Sequence, residues 1–221
     1  EMLFDLVMPG DVLGYVTEEA AKATGFPQGL PVVATSNDKA VEGLGTGCMG
    51  DKTACVSLGT YTAAMMEGRE YLRDTKAVWP KFSCMPNKYL YDSNGIRRGM
   101  WTVSWFRDVL GDGFAKEAKA QGMSPEELLS KEAENVPVGS DGLMTVLDWL
   151  APVDARYKKG MMIGFDGRSD RAHIYRSILE AVAMTMKRHV DDMTNEMGVT
   201  LDQVIITGGG SNSDLLMQIF A

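Results

Sequence analysis

Three short stretches of this 221-residue sequence hold residue types whose order could do chemistry. In the first, an apolar run (Val204-Ile205-Ile206) leads through Thr207 into Gly208-Gly209-Gly210-Ser211-Asn212-Ser213, and Asp214 to Phe220 reads as a helix. Consecutive glycines between a strand and a helix bring bare backbone N–H groups close to a ligand. The helix dipole adds partial positive charge at the same spot, so nucleotide phosphates are natural guests. The same pattern also occurs where two elements merely pack closely. The second is Asp38, which directly follows the apolar run Val32–Thr35 and opens a helical stretch. Free N–H groups and the dipole favour its ionised form by about 0.3–1 kcal/mol, and a general base is an ionised, oriented carboxylate. From local pattern alone a helix cap is the simpler reading, and Ser36 or Asn37 could also cap. The third, Ser57-Leu58-Gly59-Thr60, offers two hydroxyls and a glycine in a tight turn that could hold a phosphoryl group. Here too a plain turn is the simpler local reading.

The elements that must position these residues alternate between strands and helices, which makes the chain α/β in class. An irregular stretch marked by Pro9, Gly10 and Gly14 comes first, then a short helix over Thr17–Thr24, a strand over Leu30–Thr35 and a helix over Asp38–Leu44. Gly43, Gly45, Gly47 and Gly50 mark a looser connection, the expected domain boundary. Thr53–Leu58 and Thr62–Glu67 read as a hairpin around Gly59-Thr60-Tyr61, and Lys88–Asp92 as a further strand. Trp101–Leu110 reads as a helix with Trp101, Trp105 and Val109 at four-residue spacing. Ser124-Pro125-Glu126-Glu127 is a strong helix start, with a Ser cap, Pro at the first position and an acid at the third. Leu143–Leu150 reads as a buried strand. The longest element, Ala172 to Met197, carries one apolar stripe (Ile174, Ile178, Val182, Met186, Val190, Met193, Met197), with Arg176, Glu180, Lys187, Asp191 and Asp192 expected off it.

Composition narrows the function. Hydrophobic residues at 45% and charged residues at 24% are those of a soluble globular protein. A formal net charge of -8 argues against a nucleic-acid surface or an anionic membrane as partner. No run of about 18 apolar residues exists to span a bilayer, and Glu1-Met2-Leu3-Phe4-Asp5 does not read as a signal peptide. Cys48, Cys55 and Cys84, an odd count without C-x-x-C spacing, read as reduced, mostly buried thiols of a cytoplasmic protein. With His173 and His189 as the two histidines, an all-protein zinc site is not expected. The methionines read as core, and His173, at the opening of the long helix, as structural.

The ordered set resembles the FGGY carbohydrate kinases, a branch of the actin-like, sugar-kinase and Hsp70-type ATPase superfamily. Gly29-Leu30-Pro31-Val32-Val33-Ala34 leading to Asp38 is similar to that family's strand before its catalytic aspartate. Ser57-Leu58-Gly59-Thr60 resembles its second phosphate motif, which often ends in Ser where this chain has Tyr61. Gly160-Met161-Met162-Ile163-Gly164-Phe165, then His173-Ile174 and Ser177-Ile178-Leu179-Glu180, resembles its downstream signature. Thr207 to Gln218 looks like its adenosine motif. Gly99 to Asp108 is similar to the helix beside the nucleotide phosphates.

The resemblance implies an actin-like, ribonuclease H-like ATPase fold, incomplete here because nothing in the chain resembles the family's opening Asp-x-Gly-Thr-type loop. It implies a fragment, inactive alone. Residues 1–50 would be the tail of the N-terminal sugar-binding domain, and 51–221 most of the C-terminal nucleotide-binding domain. By resemblance Asp38 takes the proton from the sugar hydroxyl, and Ser57, Gly59 and Thr60 contact the transferring phosphoryl group. Gly208, Gly209, Gly210 and Ser213 border adenosine and the α-phosphate. ATP and Mg2+ are the implied cofactors, with most metal contacts in the absent loop. The partner is a small-molecule sugar or sugar-acid acceptor, and a homodimer is left open. Two departures stand out. Ser36-Asn37-Asp38-Lys39 replaces a usual Gly before the aspartate and Asn or Gln after it. Lys39 could turn the enzyme towards a carboxylate-bearing acceptor, or simply pair with Glu42. Arg97-Arg98 could meet a phosphate or an acidic acceptor, or be surface.

Two other functions compete. One is a non-catalytic actin-like nucleotide module acting through a partner, which has no need of a base at Asp38. The other is a dinucleotide-binding oxidoreductase, suggested by the glycine turn alone. Its fingerprint belongs in an early βαβ unit with an acid about 20 residues later, and here the chain ends first.

Overall fold

A computed structural model describes residues 5–153 and 155–221. Its centre is a five-stranded sheet made of β3 (Thr53–Leu58), β4 (Thr62–Gly68), β5 (Val78–Phe82), β6 (Tyr89–Ser93) and β9 (Gln203–Thr207). The spatial order is β5-β6-β4-β3-β9, antiparallel except for the last pair. That pair, β3 and β9, runs parallel with Ser57 opposite Thr207. Two small sheets stand apart: β1 (Val12–Tyr15) with β2 (Pro31–Val33), and β7 (Met144–Val146) with β8 (Met161–Ile163).

Among the described residues there are six α-helices: α1 (Glu18–Thr24), α2 (Asp38–Thr46), α3 (Gly99–Ala120), α4 (Pro125–Ala133), α5 (Arg171–Met197) and α6 (Asp214–Phe220). Local chemistry accounts for their ends. Thr17 caps α1 and Asn37 caps α2 through their side chains, and αL glycines, Gly25 and Gly47, close them. Ser124 and Glu127 form a full capping box on α4, and Asp170 and His173 form another on α5.

Period-two alternation in β3 divides the molecule. Ala54, Val56 and Leu58 join a core completed by Val103, Phe106 and Phe114 of α3, Leu128 and Leu129 of α4, the stripe of α5, and Leu215 and Leu216 of α6. Cys55, from the other face, joins a smaller cluster with Cys48, Met65, Cys84, Leu90 and Ala40 of α2. Burial on both faces fits the mostly apolar content of β3 and β4. Each fully buried Ile178 or Leu179 contributes about 1.5–3 kcal/mol by leaving water.

Several expectations are corrected. Gly14 lies in strand β1 rather than in irregular chain. Gly43 and Gly45 sit inside α2, and Gly43 is buried there. Strand β5 was not foreseen: Pro80 breaks its pattern, and as an edge strand it tolerates the missing donor. Helix α3 runs well past Leu110, with a break at Gly111 (φ 73°, ψ -175°). It buries Thr102, Val103 and Phe106, packs Trp105 against the core and leaves Val109 exposed. Leu143–Leu150 is not a buried strand: only Met144–Val146 is extended, and it pairs with β8.

The largest correction concerns Arg176 and Glu180, expected off the stripe of α5 yet both buried. Their ion pair spans 2.9 Å. Glu180 also accepts from the Gly139 N–H (3.0 Å) and the Ser140 hydroxyl (3.1 Å), while Arg176 donates to the Ala133 carbonyl (3.2 Å). A buried carboxylate is tolerable only when so paired. It fastens a loop in which Ser140 and Asp141 hold positive φ. Glu180→Ala is expected to cost roughly 3–5 kcal/mol, because it strands a buried guanidinium. Glu180→Gln, which keeps a carbonyl acceptor, should cost less. Urea unfolding midpoints compare the two, and equal losses would show that the network is not what holds the loop.

Candidate functional site

The parallel register of β3 and β9 puts both of their carboxyl ends on one rim of the sheet, where open α/β sheets bind ligands. From β3 the chain turns through Gly59-Thr60-Tyr61. The Gly59 carbonyl accepts from the Thr62 hydroxyl (3.0 Å) and from the Met100 N–H at the start of α3 (3.2 Å). The Tyr61 hydroxyl donates to the Asn94 carbonyl (3.0 Å). The turn is therefore held from both sides rather than free.

From β9 the chain enters Gly208, with φ 88° and ψ 174°, a conformation open to glycine and few others. A Cβ on Gly208 would lie 2.8 Å from the Leu58 carbonyl oxygen, and one on Gly210 would lie 2.8 Å from Leu58 Cβ. These two glycines let the second turn lie directly against the end of β3. Gly209 is different: a Cβ there meets nothing within 4 Å, and the residue is exposed. A single 3-10 turn over Gly209–Asn212 separates the glycines from α6, which Ser213 caps by accepting from the Leu216 N–H (3.3 Å). The helix over Asp214–Phe220 is found at the expected bounds, and the 3-10 turn was not anticipated.

Between the turns and α4 lies a cleft of about 780 Å³, a size that suits small-molecule ligands. Gly59, Thr60, Gly209, Gly210 and Ser213 line it. Met100 and Ser104 of α3, Glu127 and Lys131 of α4, and Tyr175 of α5 close it. Sequence reasoning read the Ser124–Glu127 segment as a helix start and missed that α4 forms a wall. Nothing in its local pattern distinguishes the two roles. Gly208 backs the cleft without lining it.

Asp38, Lys39 and Ser57 lie outside that lining, on the α2 face. Asp38 is the exposed first residue of α2, and its carboxylate accepts from the Lys39 N–H (2.8 Å). Asn37, not Asp38, caps the helix, accepting from the Ala40 N–H (3.1 Å). Asp38 is thus free of the capping duty that local pattern assigned to it. Ser57 is buried, and its hydroxyl accepts from Lys39 Nζ (2.9 Å), which also pairs with Glu42 (3.0 Å). Beneath them burial pushes the Cys48 thiol up to about 12 and also raises Cys55, whose sulfur accepts from the Thr46 hydroxyl. All three cysteines are free and buried.

The remaining motif residues serve structure. Gly160 lies against the Trp149 ring, where a Cβ would collide, and Gly164, at φ 100°, leaves no room beside the Gly142 carbonyl. Ser177 and Thr145 share a hydrogen bond (2.7 Å) that ties α5 to β7. His173 bonds Asp170 (2.7 Å) at the head of α5, and that carboxylate raises its pKa. Arg97 donates to the Ala151 carbonyl (2.6 Å), and Arg98 lies 4.8 Å over the Trp101 ring. Among the described residues no group of three His, Cys, Asp or Glu could hold a metal ion, and no helix is long and apolar enough to cross a membrane.

The model of the FGGY family of carbohydrate kinases, C-terminal domain, matches residues 54–221. Over the full chain the sequence is 59% identical to the uncharacterized sugar kinase YgcE of Escherichia coli, of which it covers 45%. It is 28% identical to a ribulokinase of Mycolicibacterium smegmatis, across 96% of this chain and 38% of that protein. Among solved structures, the xylulose kinase of Rhodospirillum rubrum superposes with a TM-score of 0.78 at 26% identity, covering 96% of this chain and 42% of that one. The chain spans about half the length of the curated relatives it matches, or less. The expected actin-like fold of the sugar kinase superfamily is the fold observed.

The glycine geometry has a direct consequence for stability. Gly208→Ala and Gly210→Ala should each destabilise by about 1–3 kcal/mol through overpacking against Leu58, whereas Gly209→Ala should stay within about 0.5 kcal/mol. Thermal melts of the three variants check the order. A Gly209 variant as unstable as the others would mean that the turn does not sit as described.

Proposed function

The chain belongs to the FGGY family of carbohydrate kinases, and from that premise we propose that it carries the nucleotide-binding side of an ATP-dependent sugar kinase. The observation that supports this reading most is the pair of turns, Gly59-Thr60 and Gly208–Gly210, abutting across parallel strands at the rim of one cleft. Bare N–H groups there suit the phosphates. The cleft wall of α4 and Tyr175 suits ribose and base.

In this proposal Asp38, unburdened by capping, accepts the proton of the sugar hydroxyl. The hydroxyl oxygen forms a bond to the terminal phosphorus of ATP as the bridging P–O bond breaks, and the bonding pair leaves with ADP. Gly59, Thr60 and Ser57 steady the transferring group, and Gly208, Gly209, Gly210 and Ser213 border the adenosine end. Phosphoryl transfer asks mainly for positioning and charge stabilisation, and a held turn between two fixed elements provides positioning. Magnesium is proposed to arrive on the nucleotide phosphates, as Mg2+ commonly does. Among the described residues no three His, Cys, Asp or Glu side chains gather to hold it. Residues 1–50 are proposed to belong with a sugar-binding domain, 51–221 with the nucleotide domain, and the setting to be cytoplasmic. The chain alone, lacking the loop the family opens with, is proposed to bind nucleotide without turning over.

Calorimetry of ADP binding to the wild-type chain and to Gly209→Val tests the reading. The valine projects into the cleft rather than into protein, so the variant should melt like wild type and lose at least tenfold in affinity. Wild-type ADP affinity that Gly209→Val leaves unchanged would remove the cleft as the nucleotide site. Asp38→Asn should leave ADP affinity unchanged, because the base sits on the acceptor side. A matching loss there would argue for a non-catalytic nucleotide module.

A further inference from the structure

Lys39 occupies the position after the proposed base, and its side chain does not go where a surface lysine goes. Lys22 and Lys187 also pair with acids on their own helices, and their side chains are 74% and 73% exposed. That of Lys39 is 21% exposed. Its stem folds back from α2 so that Nζ bonds a hydroxyl on β3, eighteen residues away in sequence, at 2.9 Å. Ordering a lysine costs rotamer entropy, and a solvated ion pair with Glu42 would not require it.

Position decides what the ammonium can serve. Ser57 is the residue before Leu58-Gly59-Thr60, so Nζ is anchored on the strand that delivers the phosphate turn. An ammonium has three donors; Ser57 and Glu42 take two. Among the described residues the third has no partner, and neither has the proton of the Ser57 hydroxyl, which acts here as an acceptor. Both stand where α2 meets β3, and Asp38 is the exposed first residue of that helix. The first turns of α2 carry Asp38, Lys39 and Glu42, two negative and one positive, while further along the same sheet face Lys81 pairs with Asp92 and Lys88 with Glu67. A phosphoryl group brought beside two carboxylates meets repulsion unless a cation offsets it, and Lys39 is the cation of that group. Glu42 neutralises it until an anion arrives.

Resting on the kinase reading, we propose that Lys39 is a positioning residue for the terminal phosphoryl group of ATP, donating to a non-bridging oxygen beside Ser57. It is not, on this view, a receptor for an acceptor carboxylate. Lys39 keeps its protons throughout. The proton of the acceptor still goes to Asp38, and only the O–P bond partners change.

The test compares ADP with AMP-PNP, which carries the third phosphoryl group, on wild type, Lys39→Gln and Lys39→Arg. The expected wild-type chain binds AMP-PNP more tightly than ADP. Lys39→Gln should reduce that preference by about tenfold or more while leaving ADP affinity and the melting temperature near wild type. Lys39→Arg should restore part of it. An unchanged preference in Lys39→Gln, or a wild type that does not discriminate, overturns the proposal. So does an equal loss for both nucleotides, which is what a purely structural lysine gives. If Lys39→Gln instead loses affinity for gluconate with the nucleotide preference intact, the oxyanion belongs to the acceptor and the proposal is wrong. Failure of wild type to bind ADP at all is a different result: it removes the nucleotide reading, and this inference with it.

Discussion

Everything at the rim of this molecule depends on two strands keeping a parallel register, Ser57 beside Thr207. Parallel pairing brings two carboxyl ends to the same edge, and each end then turns. The turns can abut because the residues at contact have no side chains: Gly208 and Gly210 meet Leu58 at distances no Cβ could occupy. A one-residue slip in β9 would carry the glycines away from Leu58 and close the rim with side chains. The register is in turn guarded by burial. Ala54, Val56 and Leu58 are committed to the helical core on one face and Cys55 to the α2 cluster on the other, so β3 has no face free to slip towards solvent.

The same strand joins two environments that differ in character. Its end opens on one side into the cleft under α3 and α4. On the other, Ser57 is held by a lysine from α2.

Rigidity away from the rim comes from polar nodes rather than from apolar area alone. Glu180 fastens the loop at Gly139 and Ser140. Arg171, with its pKa raised chiefly by hydrogen bonds to Glu132 and Glu117, clamps the head of α5 to α4 and α3. Asp170 both caps α5 and orients His173. Residues of the signature around Gly160–Gly164 and Ser177–Glu180 belong to this scaffold: they bring the β7–β8 pair against α5, and α5 presents Tyr175 to the cleft.

The sequence by itself determined the α/β class, the β3–β4 hairpin, the capped helices α2, α4 and α5, and the glycine turn, because caps, turns and alternation are local chemistry that a few neighbours decide. It also singled out Asp38, Ser57, Gly59, Thr60 and the three glycines. Only the tertiary structure decided which face of α3 is buried, that Pro80 sits in an edge strand, and that Arg176 and Glu180 lie inside. It alone decided that Gly209 is open while Gly208 and Gly210 are not, and that Lys39 reaches Ser57. The physical reason is common to all of these. Each depends on a partner far away in sequence: Trp149 for Trp105, β6 for Pro80, the 139–140 loop for Glu180, Leu58 for the glycines and β3 for Lys39. A local pattern can say that a residue will be satisfied, but the partner that satisfies it is chosen by the fold.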